Sequence, residues 1–116
     1  MENKDLLRLM HMLDSTNAIL DFSKGKRKAS LRNNRLYQSA VLRELEIIGE
    51  AAGQISDKTK KKFPHIPWKA LVGMRNRLIH AYFDVDHEIV WKTIRESLPT
   101  FQIDLEEVIE TLSSAG

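Results

Sequence analysis

The chain has 116 residues, 42% of them apolar and 29% charged, with no cysteine and a net charge of +2. These proportions predict one soluble globular domain spanning residues 1–116 and exclude disulfides, thiolate catalysis and cysteine-ligated zinc. No apolar run approaches the roughly 20 residues that span a bilayer, and "MENKDLLRLM" lacks the basic then apolar opening of an export signal, so a reducing cytoplasm is the expected location.

The small net charge conceals a polarity. Residues 1–77 carry 16 Lys/Arg against 8 Asp/Glu, a net +8, whereas residues 78–116 carry 2 against 8, a net −6. Such a division suits an anionic partner on one side and a basic or self-complementary contact on the other, although solvated helix faces that merely differ are an equal reading.

In chain order, Leu6, Met10, Leu13 and Leu20 recur at helical spacing, widened by Leu9 and Ile19, which predicts a helix of about five turns from Asn3 to near Ser23. "SKGKRKAS" has no apolar periodicity and reads as an exposed loop. A second helix is expected from Asn34 to Ile55, with Tyr37, Val41, Leu45, Ile48, Ala52 and Ile55 on one face and Ala40, Ile47 and Ala51 beside it. Gly49 and Gly53 share a face of that helix, where close approach of another helix within the bundle is a simpler use than a dimer seam. "DKTKKKFPHIP" predicts a short basic turn or half-helix that stops before Pro64.

Pro67 suits the first turn of a third long helix, "PWKALVGMRNRLIHAY". "FDVD" then makes a corner, and Asp86 caps a last helix carrying Trp91, Ile94, Leu98, Phe101, Leu105, Val108 and Leu112 at alternating intervals of three and four. Pro99 falls inside this stripe without shifting its phase, which predicts a kink rather than a break. No strand-like alternation is evident. The expected fold class is all-α: an antiparallel bundle of four main helices plus a short basic turn.

The concentrated chemistry lies in "GMRNRLIHAYFDVD". On a continuous helix Arg75 and Tyr82 point nearly the same way, while His80 sits about 140° around from Arg75. Arg75 and His80 therefore meet on one phosphate only if the helix ends near His80 or a second copy comes alongside. The set suits metal-independent attack on RNA: histidine exchanges a proton with a 2′-hydroxyl or a leaving 5′-oxygen, and arginine holds a phosphate as charge builds. Asn76 shares the His80 face and is placed to orient its ring. The same cluster is also what a helix dipole favours in a last turn.

"RNRLIHAY" has the pattern Arg, four residues, His, one residue, Tyr, and resembles the signature of the HEPN superfamily, specifically its HepT-type toxins. "LRLMHMLDS", "LYQSAVLRELEIIGEAAGQIS", "FPHIPWKALVGMRNRLIHAYFDVD" and "IVWKTIRESLPTF" resemble the corresponding family segments in order, covering nearly the whole chain. The resemblance implies a HEPN fold, a homodimer whose two motifs face a shared cleft, and the ribonuclease toxin of a type VII toxin–antitoxin system. It assigns Arg75 and His80 as the catalytic pair, Asn76 as their polar support, and no metal or cofactor. It further implies an MntA-like nucleotidyltransferase antitoxin that adenylylates Tyr82. Ala81 departs from the glycine frequent in the family and, as a better helix former, predicts a helix continuing through the motif.

Arg77 is left as an RNA or partner contact. "KTKKK", with Lys60, Lys61 and Lys62, and "KGKRK" offer phosphate contacts, with a solvated loop the simpler reading of each. Glu46 and Glu50 order Arg75 or Arg77 if they face the cleft, surface pairing being the plainer alternative. His11, His65 and His87 lack partners at metal-ligand spacing. The rival to an enzyme is a non-catalytic helical module that binds nucleotide or RNA and docks a nucleotidyltransferase; RNA fragments ending in 2′,3′-cyclic phosphate, absent with a His80 variant, separate the two.

Overall fold

The structure, a computed structural model, describes the backbone of residues 3–81 and 84–114 and the side chains of residues 4–74 and 85–114. Helix α1 (Asn3–Phe22) is followed by α2 (Lys28–Asn33), α3 (Arg35–Gly53), α4 (Asp57–Lys62) and α5 (Trp68–Leu78). A two-stranded hairpin, β1 (Ile79–Ala81) and β2 (Asp84–Val85), leads into α6 (His87–Lys92), a π turn (Thr93–Ser97) and α7 (Leu98–Ser114). The fold is all-α apart from this hairpin, and α1, α3, α5 and the continuous α6–α7 track are the four main helices expected.

Helix α3 follows its sequence pattern. Asn34 Oδ1 accepts from the Tyr37 amide and caps its start. All six residues of the expected face, Tyr37, Val41, Leu45, Ile48, Ala52 and Ile55, are buried. The start of α3 lies beside the end of α1 through Ser23 and Tyr37, whose hydroxyls are 2.6 Å apart. Its end lies beside the start of α1, where Arg8 donates to the Gln54 carbonyl at 3.3 Å, so the two helices run antiparallel. Burial pushes the Tyr37 hydroxyl above its ordinary pKa, opposed by the Ser23 hydrogen bond and by Arg95.

Helix α1 buries part of the stripe expected. Leu9 and Ile19 are fully buried and Leu13 and Leu20 pack against the core, joined by Met12, while Met10 is 47% exposed. Asp5, Ser15 and Thr16 share the core-facing side, so an apolar periodicity alone does not trace the whole buried face. Thr16 satisfies its hydroxyl on the Met12 carbonyl at 2.8 Å, and Asp5 is satisfied by α4. The expected exposed loop is also shorter than read. It turns at Gly25, with φ +73°, and the chain re-enters helix at Lys28, because Leu31 buries in the core.

The Asp86 carboxylate accepts from the Ile89 amide at 3.1 Å, capping α6 as expected. The Pro99 effect appears as a π turn one step before the proline. The Leu98 amide reaches back to the Thr93 carbonyl, widening the helix where the proline ring would otherwise press on the carbonyl of Arg95. The apolar stripe crosses this turn intact: Ile94, Leu98, Phe101, Leu105 and Val108 are all buried.

Helix α5 ends sooner than expected. It stops at Leu78, and Ile79 and Ala81 pair antiparallel with Val85 and Asp84, with an irregular register between them. Alanine at position 81 does not prolong the helix, because the backbone groups after Leu78 find ladder partners across the corner instead.

Candidate functional site

The motif straddles a helix end. Arg75, Asn76 and Arg77 occupy the last turn of α5, and His80 lies on β1. Of the two geometric conditions for Arg75 and His80 to meet, a helix ending near His80 is the one present in the backbone. The 140° separation applied to a continuous helix and no longer by itself calls for a second subunit. Tyr82 lies outside the described residues, as do the side chains of Arg75, Asn76, Arg77 and His80.

Three contacts seat this segment. Met74 and Leu71 bury the inner face of α5, each 8% exposed. Gly49 on α3 lies so close that an added Cβ would stand 3.0 Å from the Leu71 carbonyl oxygen, so the glycine serves a close crossing within the bundle. On the far side of the hairpin, His87 Nε2 accepts from Gln38 Nε2 at 2.8 Å, and the same amide donates to the Leu31 carbonyl at 2.8 Å. Lys28 pairs with Glu88, so α2 and α6 are tied beside the corner. Glu46 is half-buried and Glu50 exposed.

A cleft of about 310 Å³ opens between α5 and the π turn, floored by Ile48, Leu71, Met74 and Phe101, with Thr93 and Ser97 on its rim. It borders the motif through Met74, which precedes Arg75. Among the described residues, no three His, Asp or Glu side chains converge.

The basic segment forms α4 and is held by a buried carboxylate. Asp5, 2% exposed, accepts from the Ser56 amide at 3.0 Å, the Ser56 hydroxyl at 2.6 Å and the Thr59 hydroxyl at 2.6 Å. Burial alone would raise its pKa. The hydrogen bonds from Ser56 and Thr59, helped by the charge of Arg8, outweigh that and hold the carboxyl below its ordinary value. Ser56 in turn accepts from the Thr59 amide at 3.3 Å and caps α4.

Beyond α4 the chain folds back. The Trp68 indole donates to the Phe63 carbonyl at 3.0 Å, which seats α5 directly against the end of the basic helix. Lys60 and Lys61 thereby line a second, shallow cleft of about 610 Å³ together with Lys69, a residue the sequence reading passed over. Lys62 instead lies over the Phe63 ring, 5.6 Å from its centroid. Only the proximity of Lys69 to Pro67 and Trp68 hinted at its place, and that hint depends on the turn.

A family model described as "Ribonuclease HepT-like" matches residues 12–112. Among similar proteins, "Putative RNase MJ1380" of Methanocaldococcus jannaschii is 38% identical over 109 residues, covering 93% of this chain and all of that protein. "Probable ribonuclease HepT" of Thermococcus cleftensis is 46% identical over 71 residues, 61% of this chain and 64% of that one. "Gamma-glutamylcyclotransferase and putative RNase MJ0434" of M. jannaschii is 34% identical over 104 residues, 90% of this chain and 47% of that longer protein. No solved structure matches. With the all-α architecture, the family segments in their order and an Arg–His pair astride the end of α5, the chain belongs to the HepT-like ribonuclease family of the HEPN superfamily.

Proposed function

We propose that the chain is the toxin of a type VII toxin–antitoxin system, a metal-independent endoribonuclease that acts as a cytoplasmic homodimer. The observation that carries the reading is the end of α5 at Leu78, which falls between Arg75 and His80 in a chain of a ribonuclease family. A helix running on to Tyr82 would hold the two residues apart; an end between them frees His80 to turn toward the same phosphate.

The chemistry balances on these groups. The 2′-oxygen of the RNA attacks the adjacent phosphorus and the bond to the 5′-oxygen breaks, giving a 2′,3′-cyclic phosphate and a 5′-hydroxyl. One proton leaves the 2′-hydroxyl and one reaches the 5′-oxygen. In a homodimer the two copies of His80 supply the base and the acid, a contribution of about 10² to 10⁴ in rate. Arg75 stays charged and stabilises the crowded phosphorane through paired donors, where a lysine would offer only a point charge. Asn76 supports the histidine from the last turn of α5, a role taken from the family pattern rather than from a shared helix face, because α5 ends at Leu78. Arg77 and the lysines of α4, Lys60, Lys61 and Lys62, contribute phosphate contacts.

An MntA-like nucleotidyltransferase antitoxin transfers adenylate from ATP to the Tyr82 hydroxyl, whose oxygen bonds the α-phosphorus as pyrophosphate leaves and the hydroxyl proton is released. The new phosphodiester carries about one negative charge two residues from His80, so it competes with the RNA phosphate in both charge and space.

The deciding measurement is cleavage of single-stranded RNA by unmodified protein, with product ends identified by mass. Wild type is expected to release 2′,3′-cyclic phosphate ends, and His80→Ala to lose at least about 10²-fold in rate while still binding RNA. Full activity in the His80 variant would remove the assignment; RNA bound but never cut by wild type would favour the non-catalytic module. Intact mass after co-expression with the antitoxin tests the regulatory half: the adenylate increment should appear on wild type and vanish in Tyr82→Phe.

A further inference from the structure

We infer that the Lys60–Lys61–Lys69 cleft is a second RNA subsite, which holds the single strand a few nucleotides from the bond that is cut. The inference rests on the ribonuclease reading above and extends it from the reacting phosphate to the strand that leads away from it.

The cleft joins charge to an apolar floor. Pro64, Pro67 and Ala70 form its exposed base over the buried Ile66 and Trp68, and Lys60, Lys61 and Lys69 stand around it, with Asp57 the single carboxylate among the described lining residues. Among the described residues none of these three lysines belongs to an ion pair. Unpaired cations above an exposed apolar surface fit a chain of phosphates running across it, while Trp68, 8% exposed, belongs to the core beneath. Lys60 and Lys61 are fixed rather than trailing, because their helix is capped by Ser56 and pinned by Asp5.

The cleft and the motif lie on one rigid helix. Lys69 and Arg75 are six residues apart on α5, a rise of about 9 Å at 1.5 Å per residue and a turn of about 120° around the axis. The path between them is longer than the rise alone and takes a few nucleotides at about 3.4 Å per stacked step. Along the face of Lys69, position 73 lies about 40° off and position 76 about 20° off. The residue at 73 is glycine, a poor choice inside a helix. Among the described residues an added Cβ there would meet nothing within 4 Å, in contrast to Gly49, so packing against them does not call for the glycine. A bare helix surface between Lys69 and the motif lets a strand lie close to α5, and a side chain there would stand in its path.

The test uses unmodified full-length protein and single-stranded RNAs of 3, 6 and 9 nucleotides, with KM measured for each length and binding followed across a potassium chloride series in a His80→Ala background. For wild type, KM should fall roughly tenfold from the shortest to the longest strand as contacts are added. In Lys60→Gln/Lys61→Gln/Lys69→Gln that gain should be lost, and the slope of log affinity against log salt should drop by about 2, at roughly 0.7 per single-strand phosphate contact. Gly73→Gln should lose the length gain with a melting temperature no lower than wild type, which separates obstruction from misfolding.

A triple variant that keeps both the length gain and the salt slope overturns the subsite. So does one whose sedimentation shows that the dimer has fallen apart, since the cleft would then be a contact between copies. If wild type cuts RNA with no dependence on length, the subsite fails and the ribonuclease reading stands. If it binds RNA with the lysine-dependent slope and cuts none, the ribonuclease reading fails and the subsite stands.

Discussion

Asp5 shows how much rests on one carboxylate at the residue scale. It satisfies two hydroxyls and an amide at the junction of α1 with α4, and an asparagine there would keep one acceptor for the amide but turn a donor toward the two hydroxyls. Asp5→Asn should cost about 1–3 kcal/mol at pH 7, read by urea unfolding. The pH dependence follows from the lowered carboxyl. A group whose folded pKa lies below the unfolded value of about 3.9 contributes its full stability above that value and loses it as pH falls through the folded one. The gap between wild type and Asp5→Asn should therefore close below about pH 4, and a constant gap would show that the charge is not its source. Polar residues that bury themselves this way were the part of α1 that an apolar stripe could not reveal.

Helices meet at distances set by their smallest residues, and at the element scale α3 and α5 show two glycines with opposite consequences. At Gly49 a methyl group would press on the Leu71 carbonyl, a backbone atom that moves only if α5 moves. At Gly73 a methyl group meets nothing among the described residues. Thermal unfolding should find Gly49→Ala destabilised by about 1–3 kcal/mol, the strain exceeding the gain in helix propensity. Gly73→Ala should be stabilised by up to about 1 kcal/mol. Equal shifts of one sign would mean that propensity alone governs both. The Gly49 substitution should also lower RNA cleavage, because the helix it displaces carries Arg75.

The two long stripes on α3 and α7 were legible because each buries one face against several neighbours, and a face so used must be apolar nearly throughout. The hairpin was not legible. Two and three residues of strand carry no periodicity, and Ile79–Ala81 leaves the helix only because Asp84–Val85 is there to accept its backbone. A local preference, alanine for helix, lost to a pairing across the corner.

For the whole molecule, one core joins α1, α3, α5 and α7, and the short helices sit on it through single buried residues such as Leu31 and Thr59. Truncating Leu105, which is fully buried, should lower stability by about 2–5 kcal/mol and shift every probe of unfolding together. Leu36→Ser, at a side chain 81% exposed, should stay within about 0.5 kcal/mol of wild type. A Leu105→Ala protein that loses α5 signal while keeping α1 would show separate units instead of one.

By itself the sequence determined that the chain is all-α, which faces of α3 and α7 turn inward, and which family it resembles, since composition, period and residue type are properties of the chain alone. Tertiary structure decided three other matters. Asp5 becomes a buried cap only because α4 returns to the start of α1. Lys69 joins Lys60 and Lys61 only because the Trp68 indole bonds the Phe63 carbonyl and folds the turn back. The helix that "GMRNRLIHAYFDVD" could have continued ends at Leu78 because partners for its backbone lie across the corner. Each depends on groups distant in sequence or on a backbone turn, and neither a period nor a propensity measures a distance through space.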